Sequence, residues 1–472
     1  MEFLVLACLS LLSYATFCLL KSLLDRRNRS CFMLHYGCYN GKHETKLDNK
    51  TLMQVLSRNK DLDLEDYRFL VRTMVNSGLG EETYGPRNFV EREERPTLHD
   101  AHSEMDKILF DLLDNLFAKT GISPSEIDIL IVNVSLFAPV PSLASRVISR
   151  YKMREDIKSY NLSGLGCAAS SIAIDLAQRM FKMYKNATAI VLSTESIGPN
   201  IYYGKNRSMI LPNCFFRVGG SSFLLTNNAK MKNRAIMKLK NVVRTHIGSD
   251  DEAYACCMQM EDAEGLRGVQ QTKHLKNAGV RALNKNLKVL LPKVLPMKEL
   301  FRYVIVRSLG KKTKGETPGG LGLNLKTGLK HFCIQPTTRA NIEAIGKSLG
   351  LNEYDIEPSR VALHRFGNTS SCGVWYVFGY MEAKKRLKKG DKVLVMGLSA
   401  GVESVNSVWE IMKDIDEENV WSDSAEHYPE MLVSPNLFEL NYGWINDQTL
   451  SLSQAVKAIE TQNTIKMGKM LD

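Results

Sequence analysis

The sequence predicts an α/β protein made of two related halves, and three observations carry that reading. Strand and helix patterns alternate twice, over residues 127–194 and 330–398. The two stretches share one offset. Gly166 and Gly367 lie 201 residues apart, and the same offset carries the apolar run Ile129–Val134 onto Lys330–Gln335. It also carries Cys167 onto Asn368, so each half presents one polar residue from the same turn. Two halves with parallel crossovers and matching turns imply a pseudo-twofold site between them.

A chain of 472 residues with 44% hydrophobic and 24% charged residues is long enough for two or three folded units. Its formal charge of +11 suits an anionic substrate or a lipid surface. No run of aromatics interleaved with arginine reads as a nucleic-acid surface. The ten cysteines form no CxxC pair, which fits a reducing compartment. Cys31, His35, Cys38 and His43 match no common zinc-finger spacing. No metal and no resident cofactor is expected.

In chain order, Phe3–Leu20 carries no charge and would span about 27 Å as a helix. Lys21, Arg26, Arg27 and Arg29 follow it, which favours an uncleaved anchor over residues 1–24 with the body of the protein in the cytosol. A buried or interfacial helix is the alternative. Residues 25–97 are polar and mixed and read as an arm or connector. The first half, 98–235, opens on an amphipathic helix over Leu98–Thr120 ending at Gly121. Then come a strand within Ile127–Leu136, a helix over Ser142–Tyr151, a strand ending at Tyr160, a helix from Ser171 and a strand over Ala187–Thr194.

Residues 236–329 begin the second half with a strand, Ile236–Val243. Pro292 and Pro296 forbid a straight helix there. Met297–Leu309 follows as a basic amphipathic helix, readable as a membrane-surface helix or as a connector with a solvated face. The C-terminal half, 330–472, repeats the alternation: a strand over Lys330–Gln335, a helix over Thr338–Leu349, a strand over Arg360–His364, a turn at Phe366–Ser371, a helix over Trp375–Leu387 and a strand over Lys392–Leu398.

The chemistry centres on Asn161-Leu-Ser-Gly-Leu-Gly-Cys167. Here a strand turns through Gly164 and Gly166 into a helix. A thiol at a helix N-terminus faces unpaired N–H groups and the positive end of the macrodipole, so the thiolate is expected to be favoured. Cys167 reads either as an acyl-accepting nucleophile or as a buried structural cysteine. The repeat favours the first by giving it a partner, Asn368.

The motifs Asn161–Cys167, Asn206-Arg-Ser-Met209, Arg244-Thr-His246, His331-Phe-Cys-Ile334 and Leu363-His-Arg-Phe-Gly-Asn368-Thr-Ser370 resemble those of the plant 3-ketoacyl-CoA synthases. These are the condensing enzymes of very-long-chain fatty acid elongation. The resemblance implies a thiolase-like fold, two pseudo-symmetric halves in αβαβα layers, with an N-terminal transmembrane helix in the endoplasmic reticulum membrane. It implies acyl transfer from acyl-CoA to Cys167, then decarboxylative condensation with malonyl-CoA. Asn368 and a histidine would stabilise the enolate, and backbone N–H groups at Cys167 and near Gly401 the tetrahedral oxyanion. The family's histidines map onto His246, His331 and His364, the first and last equally plausible in structural roles. The resemblance also implies a homodimer, or a heteromer with another synthase and other elongase subunits.

Two departures stand out. The family places a histidine where this chain has Gln335, which donates a hydrogen bond but does not move a proton. It places a base near Gly401 where this chain has Glu403, an acid unfavourable beside CoA phosphates. These departures keep open a second reading, a weak or inactive homologue that binds and regulates an active synthase. A third reading is a thiolase-fold acyltransferase or thioesterase.

Overall fold

The structure is a computed structural model described over residues 30–91, 96–308, 322–415, 417–433 and 436–468. The Phe3–Leu20 segment lies outside these residues, as do residues 309–321. Among the described residues no helix is long and apolar enough to cross a membrane.

The first half runs β1 (Phe32–Cys38), α1 (Asn49–Ser57), α2 (Leu64–Ser77), α3 (Leu98–Thr120), β2 (Ile129–Asn133), α4 (Leu143–Tyr151), β3 (Lys158–Leu162), α5 (Ala169–Met180), β4 (Thr188–Thr194) and β5 (Gly220–Thr226). The second runs β6 (Met237–His246), the hairpin β7 (Cys257–Glu261) and β8 (Arg267–Gln271), α6 (Leu275–Leu290), α7 (Met297–Ser308), β9 (His331–Ile334), α8 (Arg339–Leu349), α9 (Glu353–Phe366), α10 (Gly373–Ala383), β10 (Lys392–Ser399) and β11 (Glu403–Ile411).

Local signals explain many of these bounds. A reciprocal Thr97–Asp100 capping box starts α3, and Gly121, left-handed at φ +68°, ends it. Ser142 caps α4 and Thr338 caps α8. β2 reads Ile-Leu-Ile-Val-Asn and is buried throughout, as a strand covered on both faces must be.

Among the described residues nine strands form one mixed sheet in the order β3-β2-β4-β5-β1-β6-β11-β10-β9. β2 is parallel to β3 and β4, and β9 to β10, so the expected parallel crossovers are present in both halves. The halves join through two residue pairs, Phe32↔Lys238 and Met33↔Met237. Outward from that joint the orders are β1-β5-β4-β2-β3 and β6-β11-β10-β9, matching except that the second half ends one strand early.

That missing strand corrects the expectation for Arg360–His364, which lies inside α9. An Asn352–Asp355 capping box starts this helix. Pro358 stands within it and supplies no N–H, so the carbonyl of Tyr354 loses its helical partner. The Arg386 guanidinium donates to that carbonyl (3.4 Å), which makes the proline tolerable.

Residues 25–97 are likewise more than an arm. β1 is a central strand, hydrogen-bonded to both β5 and β6. Leu52, Met53, Tyr67, Leu70 and Val71 of α1 and α2 build a second core with residues near Ile210 and Ile445.

Helix α10 is buried on every side. Its Trp375 ring lies 4.6 Å from Phe223 of β5 and 6.1 Å from Trp409 of β11, so the helix sits between the two halves of the sheet. Ser170 at the start of α5 donates to the carbonyl of Ser371, its counterpart at the 201-residue offset (2.6 Å). α3 packs on the outer face of the first half and α6 on β6 and β11. The layers are therefore helix, sheet, helix, sheet, helix.

Candidate active site

In parallel α/β sheets the functional groups gather beyond the carboxyl ends of the strands. Here Ser135 follows β2, Cys167 follows β3 and Glu195 follows β4. His246 ends β6, Gln335 follows β9, and Gly401 follows β10. All line a single cavity of about 790 Å³, together with Asn368 and Ser370. That is toward the upper end of the ~300–1,000 Å³ of small-molecule sites. Ile197, Ile201, Phe215, Met258, Val269 and Leu283 give it largely apolar walls.

Cys167 stands where the sequence places it. Gly164 and Gly166 are left-handed at φ +70° and +75°, and α5 begins two residues after the thiol. A Cβ on Gly166 would lie 2.9 Å from the backbone nitrogen of Ala400, so this turn packs directly on the turn before β11. The thiolate expectation is not met. Burial pushes the Cys167 thiol up to about 11, against a hydrogen bond from Ser370 that lowers it; the nearby Glu195 adds to the rise.

Asn368 is buried and fixed from both sides. Its N–H donates to Phe215 O (3.0 Å), and its carbonyl accepts from Arg217 N (2.9 Å). Its Oδ1 accepts from Ser370 N–H (3.0 Å), which leaves the amide Nδ2 as its donor group.

Gln335 is buried beside them. Its Nε2 donates to Ser370 O (2.5 Å), while its Oε1 is buried without a partner among the described residues. His246 is exposed at the cavity, and its Nδ1 accepts from Gly248 N–H (3.0 Å). With Nδ1 accepting that bond, Nε2 is the ring nitrogen left facing the cavity side. Gly401 is left-handed at φ +64° beside this ring.

The other two histidines do not reach the cavity. His331 is at the opposite end of β9 from Gln335, about 13 Å away along a strand. Its Nε2 pairs with Asp391 (3.0 Å). The strand ends at Ile334, and Gln335 is the first residue beyond it. His364 lies in α9, with Nδ1 2.8 Å from Tyr428 Oη, and burial lowers its pKa to about 4. Both are packed structural groups.

Glu403 is also corrected. It is 5% exposed, and Arg244 Nε donates to its carboxylate across 2.7 Å. Arg244 also stands 3.7 Å from Asp175. The acid is thus neutralised by the arginine of the Arg-Thr-His motif and offers no free charge to a phosphate.

Sequence reasoning missed Ser370 and Glu195. Ser370 holds φ +54°, a sparsely populated conformation for a residue with a Cβ. Its N–H, carbonyl and hydroxyl face Asn368, Gln335 and Cys167 in turn, the last with Sγ at 3.7 Å. Glu195 was findable as the first residue beyond a fully buried parallel strand. Nothing local marks Ser370 except its place two residues after Asn368.

Two pseudo-symmetric halves meeting at Cys167 and Asn368 place this chain in the thiolase-like class, with the fold of the type III polyketide synthases. A polyketide synthase from the brown alga Ectocarpus siliculosus superposes with TM-score 0.62 at 14% identity, over 81% of this chain and 98% of that one. CsyB crystallised with CoA-SH superposes with TM-score 0.64 at 15% identity, over 81% and 100%. Residues 23–313 match the family FAE1/Type III polyketide synthase-like protein, and residues 325–411 match the C-terminal part of 3-oxoacyl-[acyl-carrier-protein] synthase III. Arabidopsis thaliana 3-ketoacyl-CoA synthase 19 is 64% identical over 459 residues, covering 96% of this chain and 99% of that protein. Arabidopsis thaliana 3-ketoacyl-CoA synthase 3 is 45% identical, covering 95% and 97%. The chain belongs to the 3-ketoacyl-CoA synthase family.

Proposed function

We propose that this protein is a 3-ketoacyl-CoA synthase that condenses a long-chain acyl-CoA with malonyl-CoA, giving a 3-ketoacyl-CoA and CO2 in very-long-chain fatty acid elongation. The observation that carries the reading is the convergence of Cys167, Asn368 and a large apolar cavity, one residue from each half. Cys167 takes the acyl group as a thioester, and the apolar walls hold its tail. Asn368 Nδ2 donates to the malonyl thioester oxygen, where enolate charge develops. His246 presents its Nε2 to the same cavity. Backbone N–H groups at the Cys167 turn and the facing Gly401 turn hold the oxyanion. Lys273 and Lys276, exposed on the cavity wall, supply positive charge for the CoA phosphates. The Arg244–Glu403 pair removes one of the two arguments for an inactive homologue.

Mass spectrometry of the purified protein after incubation with a long-chain acyl-CoA, with and without malonyl-CoA, tests this. An acyl adduct on Cys167 that malonyl-CoA discharges as 3-ketoacyl-CoA supports it. An adduct that survives in Cys167→Ser places the chemistry on another thiol and removes the reading.

The uncharged Phe3–Leu20 run and its basic flank support an anchor in the endoplasmic reticulum membrane with the body in the cytosol. Sequons at Asn28, Asn49, Asn133, Asn161, Asn186, Asn206 and Asn368 support the same side, since Asn133 and Asn368 are buried and a glycan there would block folding. On α7, Met297, Phe301, Val304 and Ile305 are exposed at helical spacing, with Lys293 and Lys298 beside them. This face suits the anionic surface of the bilayer, a lipid contact additional to the anchor. The open edge of the sheet at β3 supports assembly with a second copy or another synthase.

A further inference from the structure

We propose that Glu195, acting through the hydroxyl of Ser370, holds and returns the proton of Cys167 during acyl transfer, the task for which this cavity offers no second histidine. The inference rests on Cys167 being the acyl acceptor and adds the group that makes it one.

The geometry is a three-member chain. Ser370 Oγ lies 3.7 Å from Cys167 Sγ and 3.5 Å from Glu195 Oε2. The carboxylate is fixed at its other oxygen, where Oε1 accepts from Leu136 N–H (2.8 Å) and Ser196 N–H (3.2 Å). Ser135 also donates to this carboxylate, from its backbone N–H and its hydroxyl, and Oε2 is the oxygen that faces Ser370. The hydroxyl is fixed as well, because the backbone of Ser370 is bonded to Asn368 on one side and Gln335 on the other. Glu195 is 4% exposed and lines the cavity wall beside Cys167.

A group is needed in this place. The Cys167 thiol is protonated at neutral pH, since burial raises it to about 11. His246 has its Nδ1 engaged by Gly248 N–H. Gln335 has no titrating group. Burial raises Glu195 to about 7, against the backbone donors that lower it, so it exchanges a proton near physiological pH. The titratable groups facing it are Cys167, Glu104 on α3, which burial also raises to about 7, and Cys372.

The step balances without a co-reactant. The thiol proton passes to Ser370 Oγ as the Ser370 proton passes to Glu195 Oε2. The electron pair left on Cys167 Sγ forms the bond to the acyl carbonyl carbon as the carbonyl π bond breaks and its pair moves to the oxygen. When the tetrahedral intermediate collapses, the oxyanion pair re-forms the carbonyl, the bond to the CoA sulfur breaks, and the departing thiolate takes the proton of Ser370 Oγ as Glu195 Oε2 returns its proton to that oxygen. Nothing is oxidised or reduced.

The test uses the full-length protein in nanodiscs, with stearoyl-CoA or lignoceroyl-CoA as acyl donor and no malonyl-CoA. Acylation of Cys167 is timed by rapid quench and intact-mass spectrometry from pH 5.5 to 9. The native chain should show a rate that rises as Glu195 ionises near pH 7. Glu195→Gln keeps the shape and an acceptor for the backbone donors, and should lose that rise and acylate about 100-fold more slowly. Ser370→Ala should lose the same limb. Glu195→Asp should restore the limb at a reduced rate, which a merely structural role would not produce. If the native chain is acylated and either Glu195→Gln or Ser370→Ala keeps the native rate and pH profile, the relay is wrong while the function stands. If the native chain is not acylated at all, both fall.

Discussion

Gln335 Nε2 donates to the carbonyl of Ser370, and the hydroxyl of that same serine stands 3.7 Å from Cys167 Sγ. The glutamine is thus part of the frame that aims Ser370 at the nucleophile, besides standing where the sequence resemblance leads one to expect a histidine. One of its donors is spent on that frame, and its buried Oε1 has no partner.

Exchanging this glutamine for the family residue should separate the two half-reactions. Gln335→His is expected to raise decarboxylative condensation at least ~10-fold, a cautious fraction of the usual acid/base contribution. Acylation of Cys167 should change much less, because an imidazole N–H can take over the bond to the Ser370 carbonyl. The check is single-turnover kinetics from the preformed acyl-enzyme, with and without malonyl-CoA. Equal condensation by the native chain and the variant would mean that another group already supplies the missing function.

The packed histidine of α9 gives a pH dependence of stability. Burial lowers His364 from 6.5 to about 4, so its neutral ring is favoured in the folded chain. Between those values the unfolded chain binds more protons. The stability present above pH 6.5 is therefore lost as pH falls toward 4, by up to about 3 kcal/mol. Urea midpoints at pH 7 and pH 5 should differ less for His364→Gln than for the native chain. Because this ring is outside the cavity, the variant should still acylate Cys167; loss of acylation in a folded His364→Gln protein would return the residue to the site.

Breaking the Arg244–Glu403 pair should cost stability without helping CoA. Glu403 is buried and Arg244 half-exposed, so Glu403→Ala is expected to destabilise the fold by about 1–3 kcal/mol, less than a fully buried pair. CoA affinity, measured by titration calorimetry, should stay as it was. Tighter CoA binding in the variant would show that the carboxylate acts on the phosphates after all.

The exposed face of α7 should enter the lipid interface. In the full-length protein reconstituted in nanodiscs with anionic lipid, Phe301→Trp is expected to add fluorescence that brominated acyl chains quench. Phe301→Glu with Ile305→Glu should leave the anchor in place and raise proteolytic cleavage near α7. A Phe301→Trp signal that bromolipid leaves unquenched would assign this face to another occupant.

Much of this protein was determined by its sequence alone, because the signals concerned are local or periodic. The Thr97 cap and Gly121 stop bound α3, the unbroken apolar run makes β2 a doubly covered strand, and paired glycines bend β3 into the Cys167 turn. The 201-residue offset pairs Cys167 with Asn368, and both line the cavity. The tertiary structure decided what depends on partners distant in the chain. Arg386 rescues the carbonyl freed by Pro358, and so makes a helix of Arg360–His364, where the proline alone argues against one. Of three motif histidines, only His246 stands at the carboxyl end of its strand; Asp391 and Tyr428 hold the other two in the packing. Arg244 silences Glu403, and Ser370 connects Glu195 to the thiol. Charge, protonation and access are set by which groups meet after folding, and residue types along the chain do not carry that information.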